Sequence, residues 1–304
     1  MMDFKQIEAF VNVVKYKGFS KAADATFLTQ PTISAHISNL EKELGSSLIN
    51  RMGREVSLTK QGELFYPYAV NLLQMRLEAA NSVLTKDAGL TGVLDVQTST
   101  IPGQYFLPQM MRGFHQLFPG VFYHVEQSDS KNVMTNILSQ QGEIGFTGYQ
   151  SNNRLIYEHI FTDEMMLLAP AVGRIGSIKG DIITLESFAD EPFIIREEDS
   201  GSKLDLLEAR IDGQPLVKEE QIIARMNNLE AIKQAVAAGL GVSIVSGCAA
   251  RELAEKNRVR AFHIAGLEKK RNFYMVYNKN ISLSPVAKAF RDYVLKERNV
   301  IFHG

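Results

Sequence analysis

Thr29-Gln30-Pro31-Thr32-Ile33-Ser34-Ala35-His36-Ile37-Ser38-Asn39-Leu40-Glu41-Lys42-Glu43-Leu44-Gly45 reads as one helix with a start and a stop. Ile33, Ile37, Leu40 and Leu44 recur at i, i+4, i+7 and i+11, so they share a face. Pro31 suits the first helical turn, and Gly45 suits the stop. Upstream, Phe4, Ile7, Val11 and Val14 mark a first helix that Gly18 ends. Ser20 is the predicted N-cap of a second helix, with Ala22, Ala23, Phe27 and Leu28 as its buried face. Two short helices joined by a tight turn make a helix-turn-helix, whose second helix offers its N-terminal residues to base edges in the major groove. Those residues are Gln30, Pro31, Thr32, Ser34, Ala35, His36 and Ser38. Gln pairs well with adenine, and Thr or Pro packs on a thymine methyl. Periodicity alone leaves a second reading open: a small packed bundle in which Gln30 and His36 are merely solvated.

Working outward, Leu48–Leu58 reads as a short hairpin with Gly53 at its tip. Arg51 and Arg54 flank that tip and suit phosphate or minor-groove contact. Thr59 is the predicted cap of a long helix running to about Asp87, with Leu64, Tyr68, Met75 and Val83 on an imperfect apolar stripe. Gly89 and Gly92 mark a linker and a domain boundary. Beyond it, strand candidates (93–96, 121–125, 143–146, 165–169, 193–196, 242–245, 273–276) alternate with helix candidates (107–117, 131–140, 203–209, 229–238, 286–296). That alternation predicts an α/β domain with parallel sheets between helices.

The chain has 304 residues, more than one core normally serves, and an ordinary globular composition with 45% hydrophobic and 22% charged residues. A single cysteine, Cys248, excludes an intramolecular disulfide and a multi-cysteine zinc site. The polar start has no signal-peptide character and no stretch is apolar enough to span a membrane, so a cytoplasmic protein without membrane contact is expected. The net charge is −1, and residues 1–60 carry eight Lys/Arg against six Asp/Glu. DNA binding on a balance of +2 must use a few placed contacts and not a broad basic surface.

The stretch 29–45, with Phe10 and Gly18-Phe19-Ser20-x-Ala22-Ala23 before it and Leu48-Ile49-x-Arg51-x-x-Arg54-x-Val56-x-Leu58-Thr59-x-x-Gly62 after it, strongly resembles the LysR-type transcriptional regulators. The resemblance covers the whole chain. It implies an α/β protein with an N-terminal winged helix-turn-helix (1–58), a linker and dimerisation helix (59–90), and a two-lobed effector domain similar to periplasmic binding proteins (91–304). Lobe I would hold about 91–163 and 266–304, and lobe II about 164–265. It further implies a homodimer or homotetramer on a double-stranded DNA operator. Carried over by position, the DNA-binding residues are Gln30, Pro31, Thr32, Ser34, His36, Arg51 and Arg54. The sequence departs from the family at Ala35 and His36, since many members carry a basic residue at one of these two positions.

The same resemblance places a small-molecule effector between the lobes. The segments that suit it are Thr98-Ser99-Thr100, Thr147-Gly148, Ser200-Gly201-Ser202 and Asn227-Asn228, with Ser128 and Arg196. Hydroxyls, glycines and free N–H groups at helix starts suit an anion, although each segment alone also reads as a plain cap or turn. The runs Arg196–Ser202 and Asn228–Val242 resemble the branch that includes regulators of sulfur and cysteine assimilation. That implies a sulfur-type oxyanion or an organic acid as effector and no cofactor. A receptor of the solute-binding type without DNA binding is the alternative. An enzyme is disfavoured by the lack of a nucleophile–base set, a metal cluster or a phosphate loop. Cys248 reads as a small buried filler and not a thiol sensor. His115, His124, His159 and His263 show no metal-ligand spacing, and Phe106, Phe114 and Phe118 read as core.

Overall fold

The computed structural model describes residues 2–50, 56–84, 89–196, 207–255, 257–267 and 270–303. Three helices open the chain: α1 (Phe4–Lys15), α2 (Phe19–Thr26) and α3 (Gln30–Leu44). Asp3 caps α1 in a reciprocal capping box with Gln6. The expected cap at Ser20 is corrected: α2 starts at Phe19 with Gly18 before it, and Ala22 N–H donates to the Gly18 carbonyl. Gly45 ends α3 in the left-handed region, as a helix-stopping glycine should. Phe10, Val13, Ala22, Ile33, Ile37 and Leu40 form the core of this unit. Phe27 and Leu28, expected to be buried, are exposed.

Strands β1 (Ile49–Asn50) and β2 (Ser57–Leu58) pair antiparallel as the base of the expected hairpin, whose tip with Arg51 and Arg54 lies outside the described residues. Helix α4 (Lys60–Leu84) follows, and its Phe65 and Tyr66 rings pack on Phe10. Thr59 donates its hydroxyl to the Ser47 carbonyl at 2.6 Å and accepts the Gly62 N–H at 3.0 Å, so one side chain joins hairpin to helix. Gly62 is required there, because a Cβ would collide with the Leu48 carbonyl.

The remainder is mixed α/β. Its elements are β3 (Thr91–Thr98), a π-helical turn (Pro102–Phe106), α5 (Leu107–Leu117), β4 (Gly120–Gln127), α6 (Ser130–Leu138), β5 (Ile144–Thr147), β6 (Leu155–Pro170), β7 (Ile182–Ile183), α7 (Leu185–Phe188) and β8 (Phe193–Arg196). Then come β9 (Arg210–Ile211), β10 (Gln214–Pro215), β11 (Ile222–Met226), α8 (Leu229–Ala237), β12 (Ser243–Ser246), α9 (Gly247–Ala254), β13 (Val259–Ile264), β14 (Lys270–Asn278) and α10 (Pro285–His303). The helix expected over 203–209 falls mostly outside the described residues, and Leu207–Ala209 is not helical.

The main sheet runs β4-β3-β5-β14-β6-β13-β7, with β12 also on β6. The parallel expectation is corrected. β3, β4 and β5 are parallel, but β14 is antiparallel to β5 and β6, and β6 is antiparallel to β12 and β13. β6 is the long element that the apolar run 165–169 showed only in part. Its first ten residues pair with β14 and its last six with β12 and β13. β8 and β11 form a separate parallel pair. Leu94, Phe114, Phe146 and Phe290 belong to one core, and Leu167, Phe188, Phe193 and Phe262 to another.

Candidate nucleic-acid interface and ligand cleft

Thr29 is the N-cap of α3 and accepts the Thr32 N–H at 3.3 Å, with the two hydroxyls 2.8 Å apart. Ile33, Ile37 and Leu40 are fully buried, which turns the opposite face outward. Gln30, Pro31, Ala35 and Ser38 are exposed, and Thr32, Ser34 and His36 are half-buried along its flank. The Glu41 carboxylate accepts the N–H groups of Leu48 and Ile49, at 2.8 and 3.2 Å, and so fixes the hairpin against α3. This side-chain link between recognition helix and wing was not legible in advance.

A cavity of about 60 Å³ lies where β8, β12 and β14 converge. On this measure one water needs about 10–15 Å³, so the space suits a small ligand. Arg196 ends β8, Arg271 sits near the start of β14, and Ser243 and Ser246 come from β12. Ile101, Met165 and Ile232 supply apolar wall. Arg196 donates through Nη2 to Thr100 Oγ1 at 3.0 Å. Its Nε and the Ser99 hydroxyl are buried without a hydrogen-bond partner among the described residues.

The electrostatics of this cavity are those of crowded cations. Burial holds the Arg196 guanidinium below its ordinary range. Burial, and then the Arg196 charge, push Arg271 down to about 10, with Asp163 pulling the other way. Asp163 is itself buried and accepts hydrogen bonds from the Ser246 hydroxyl and, at 3.5 Å, the Cys248 thiol. Asp163 also lies 3.9 Å from Arg251, so its charge is shared. An anion between the guanidinium groups would add negative charge and accept N–H donors.

The other predicted effector residues are placed as follows. Gly148 supports Arg271 directly: a Cβ there would lie 2.8 Å from its Nη2. Thr98 donates to the Ser99 carbonyl, Ser128 to the Asp129 carbonyl, and Thr147 to the Ser130 carbonyl. Asn228 caps α8 by accepting the Ala231 N–H, and Asn227 is exposed beside it. None of these lines the cavity. Ser200 and Ser202 lie outside the described residues. Sequence reasoning missed Arg271, Ser243 and Ser246. Arg271 follows two lysines and reads locally as part of a solvated basic run; only its pairing across β6 buries it.

Among the described residues no group of three or more His, Cys, Asp or Glu side chains could hold a metal ion. No helix among them is long and apolar enough to cross a membrane.

Residues 4–63 match the bacterial regulatory helix-turn-helix proteins of the lysR family, and residues 87–299 match the LysR substrate binding domain. The chain belongs to the LysR family. It is a DNA-binding transcriptional regulator with an effector-binding domain, and its family is one of regulators and not of enzymes. The alternative of a receptor without DNA binding falls with the first match. This LysR-type chain is 29% identical to the transcriptional activator CmpR of Synechocystis over 95% of its length and 93% of that protein's. It is 25% identical to the regulator CysL of Bacillus subtilis, covering 97% of this chain and 100% of that one. Its fold resembles that of a full-length OxyR variant from Pseudomonas aeruginosa, with a TM-score of 0.75, 18% identity, and coverage of 99% and 95% of the two chains.

Proposed function

We propose that this regulator changes its grip on operator DNA when a small anion occupies the cavity between Arg196 and Arg271. The observation that carries the reading is the convergence of two half-buried arginines and two serines on one small cavity. A sulfur-type oxyanion or a small organic acid fits this chemistry; a large neutral metabolite does not. Residues 1–58 serve as the DNA-binding unit, 59–90 as the linker, and 91–304 as the effector domain. Lobe I holds about 91–163 and 266–304, lobe II about 164–265, and β6 passes between them. Gln30, Pro31, Thr32, Ser34 and His36 meet the major groove, with Arg51 and Arg54 on the flanking backbone. The chain acts in the cytoplasm as a homodimer or homotetramer joined through α4. The exposed Leu64, Tyr68, Met75 and Leu77 of that helix support this assembly.

The test is thermal unfolding of the full chain against sulfate, sulfite, thiosulfate, selenite, O-acetylserine and common carboxylates. A ligand at 100 times its Kd adds about 2.7 kcal/mol, worth roughly 5–11 °C for a domain of this size. Arg271→Met should abolish the shift. An equal shift in Arg271→Met, or no shift with any anion, overturns the anion reading and leaves the family assignment untouched.

A further inference from the structure

Phe27 ends α2 with φ 55° and ψ 33°, in the left-handed region. Its N–H returns to the Asp24 carbonyl and that of Leu28 to the Ala23 carbonyl. This is the double hydrogen bond of a helix stop that glycine normally fills, because a Cβ there is strained. The ring is 97% exposed, so burial in the fold compensates none of that strain. Exposure continues without a break through Leu28, Thr29, Gln30 and Pro31. Phe27 and Gln30 are three positions apart, so their Cα atoms are at most about 10–11 Å apart. The major groove is about 12 Å wide. With the N-terminus of α3 in that groove, Phe27 is within reach of its rim.

We propose that Phe27 is a DNA-contacting residue whose ring packs on deoxyribose edges or thymine methyls beside the groove that α3 enters. The inference rests on the reading of α3 given above. It also answers the charge balance of +2 over residues 1–60, which leaves few phosphate contacts to carry affinity. Apolar contact at the rim adds affinity that salt does not screen. DNA is favoured over a protein partner because the exposed stretch from Phe27 runs without a break into the N-terminus of α3.

The experiment uses the full chain and a duplex selected from random sequence by the wild-type protein. Phe27→Asn keeps a residue that tolerates the left-handed region and removes the ring. Its melting temperature should equal or exceed wild type, its Kd should rise about 5–10-fold, and its salt slope should stay unchanged. Gln30→Ala is measured beside it. If Gln30→Ala weakens binding and Phe27→Asn does not, the Phe27 proposal is overturned and the α3 reading stands. If neither variant weakens binding, both fall. A photocrosslinker at position 27 gives a second readout independent of that variant's folding: it should attach to DNA. Attachment only to a second protein chain, or a changed oligomeric state in Phe27→Asn, overturns the proposal.

Discussion

Removing Lys233 is expected to cost this fold less than removing the carboxylate it holds. Lys233 lies on α8 with only 3% of its side chain exposed. Its ammonium is 2.6 Å from Glu252 on α9 and 3.0 Å from Glu230, and donates to the Tyr105 hydroxyl at 3.2 Å. Tyr105 also donates to Glu252 at 3.2 Å. Burial lowers the Lys233 pKa, but Glu252, Glu230 and Tyr105 outweigh it and the net shift is upward. The cluster ties the turn after β3 to the two helices packed on β6.

Glu252→Ala strands a buried ammonium. Full loss of a buried partner costs about 3–5 kcal/mol, and Glu230, 56% exposed, retains part of the pairing, so about 3 kcal/mol is expected. At 2–4 °C per kcal/mol that is a drop of about 6–12 °C. Lys233→Met keeps the stem volume and frees two carboxylates that already reach water, so its cost should stay below about 1.5 kcal/mol. The double variant should therefore be more stable than Glu252→Ala alone. Because the folded pKa of Lys233 is raised, its contribution is complete below the unfolded value of about 10.4 and is lost only as pH rises through the folded pKa. The ranking should thus hold between pH 6 and 9. Thermal unfolding of the four proteins decides it. A double variant less stable than Glu252→Ala would refute the desolvation reasoning.

Gly148→Ala should push the Arg271 guanidinium out of place and shrink any anion-dependent rise in melting temperature, while costing the fold about 1–3 kcal/mol. An unchanged rise would detach Gly148 from the cleft. Gly62→Ala should destabilise the N-terminal unit by about 1–3 kcal/mol, seen as faster amide exchange in α1–α3. Burial, and then Asp163, push the Cys248 thiol up to about 12, so alkylation at pH 8 should be negligible until the chain unfolds; rapid labelling of the native protein, followed by mass spectrometry, would contradict this. Asn71→Ala should leave the anion-dependent melting shift intact and reduce the anion's effect on DNA affinity; equal loss of both would point to misfolding of the junction.

The parts of this fold that were legible were those specified locally. Helix α3 carries its own cap, its proline and its stop, and the helix candidate over 107–117 matches α5. The first half of β6 was not, because Asp163 and Glu164 break the apolar run. Their partners, Ser246, Cys248, Arg251 and His263, lie about 80–100 positions later. The same distance hid Arg271, whose burial depends on strands the local sequence does not mention. Phe27 failed differently. Its apolar identity predicted burial, but its backbone belongs to a helix stop and holds the ring away from the core. Sequence period reports a face only while the helix continues.

The route from cleft to DNA is constrained by what is pinned. The Asn71 side chain on α4 accepts the Ser282 N–H at 2.7 Å and donates to the Asn280 carbonyl at 3.3 Å, holding the turn after β14. That turn is also held by Glu143, which accepts the Ser284 N–H and hydroxyl at 2.7 and 2.8 Å and is buried enough that its pKa is raised. The linker helix is thereby registered to the sheet of β3, β4 and β5, and a shift against it must break one of these two attachments. Arg271 sits at the other end of β14, beyond a register shift between Phe273 and Tyr274. Eight residue steps separate the two ends of β14 by about 27 Å. On the proposed reading, an anion held between Arg196 on β8 and Arg271 on β14 would couple the β8–β12 side to the sheet that carries the linker. It can do so only by the difference in its affinity for the two arrangements. A site lined by two guanidinium groups makes that difference large, since small displacements of a guanidinium change a charge-assisted hydrogen bond far more than they change an apolar contact.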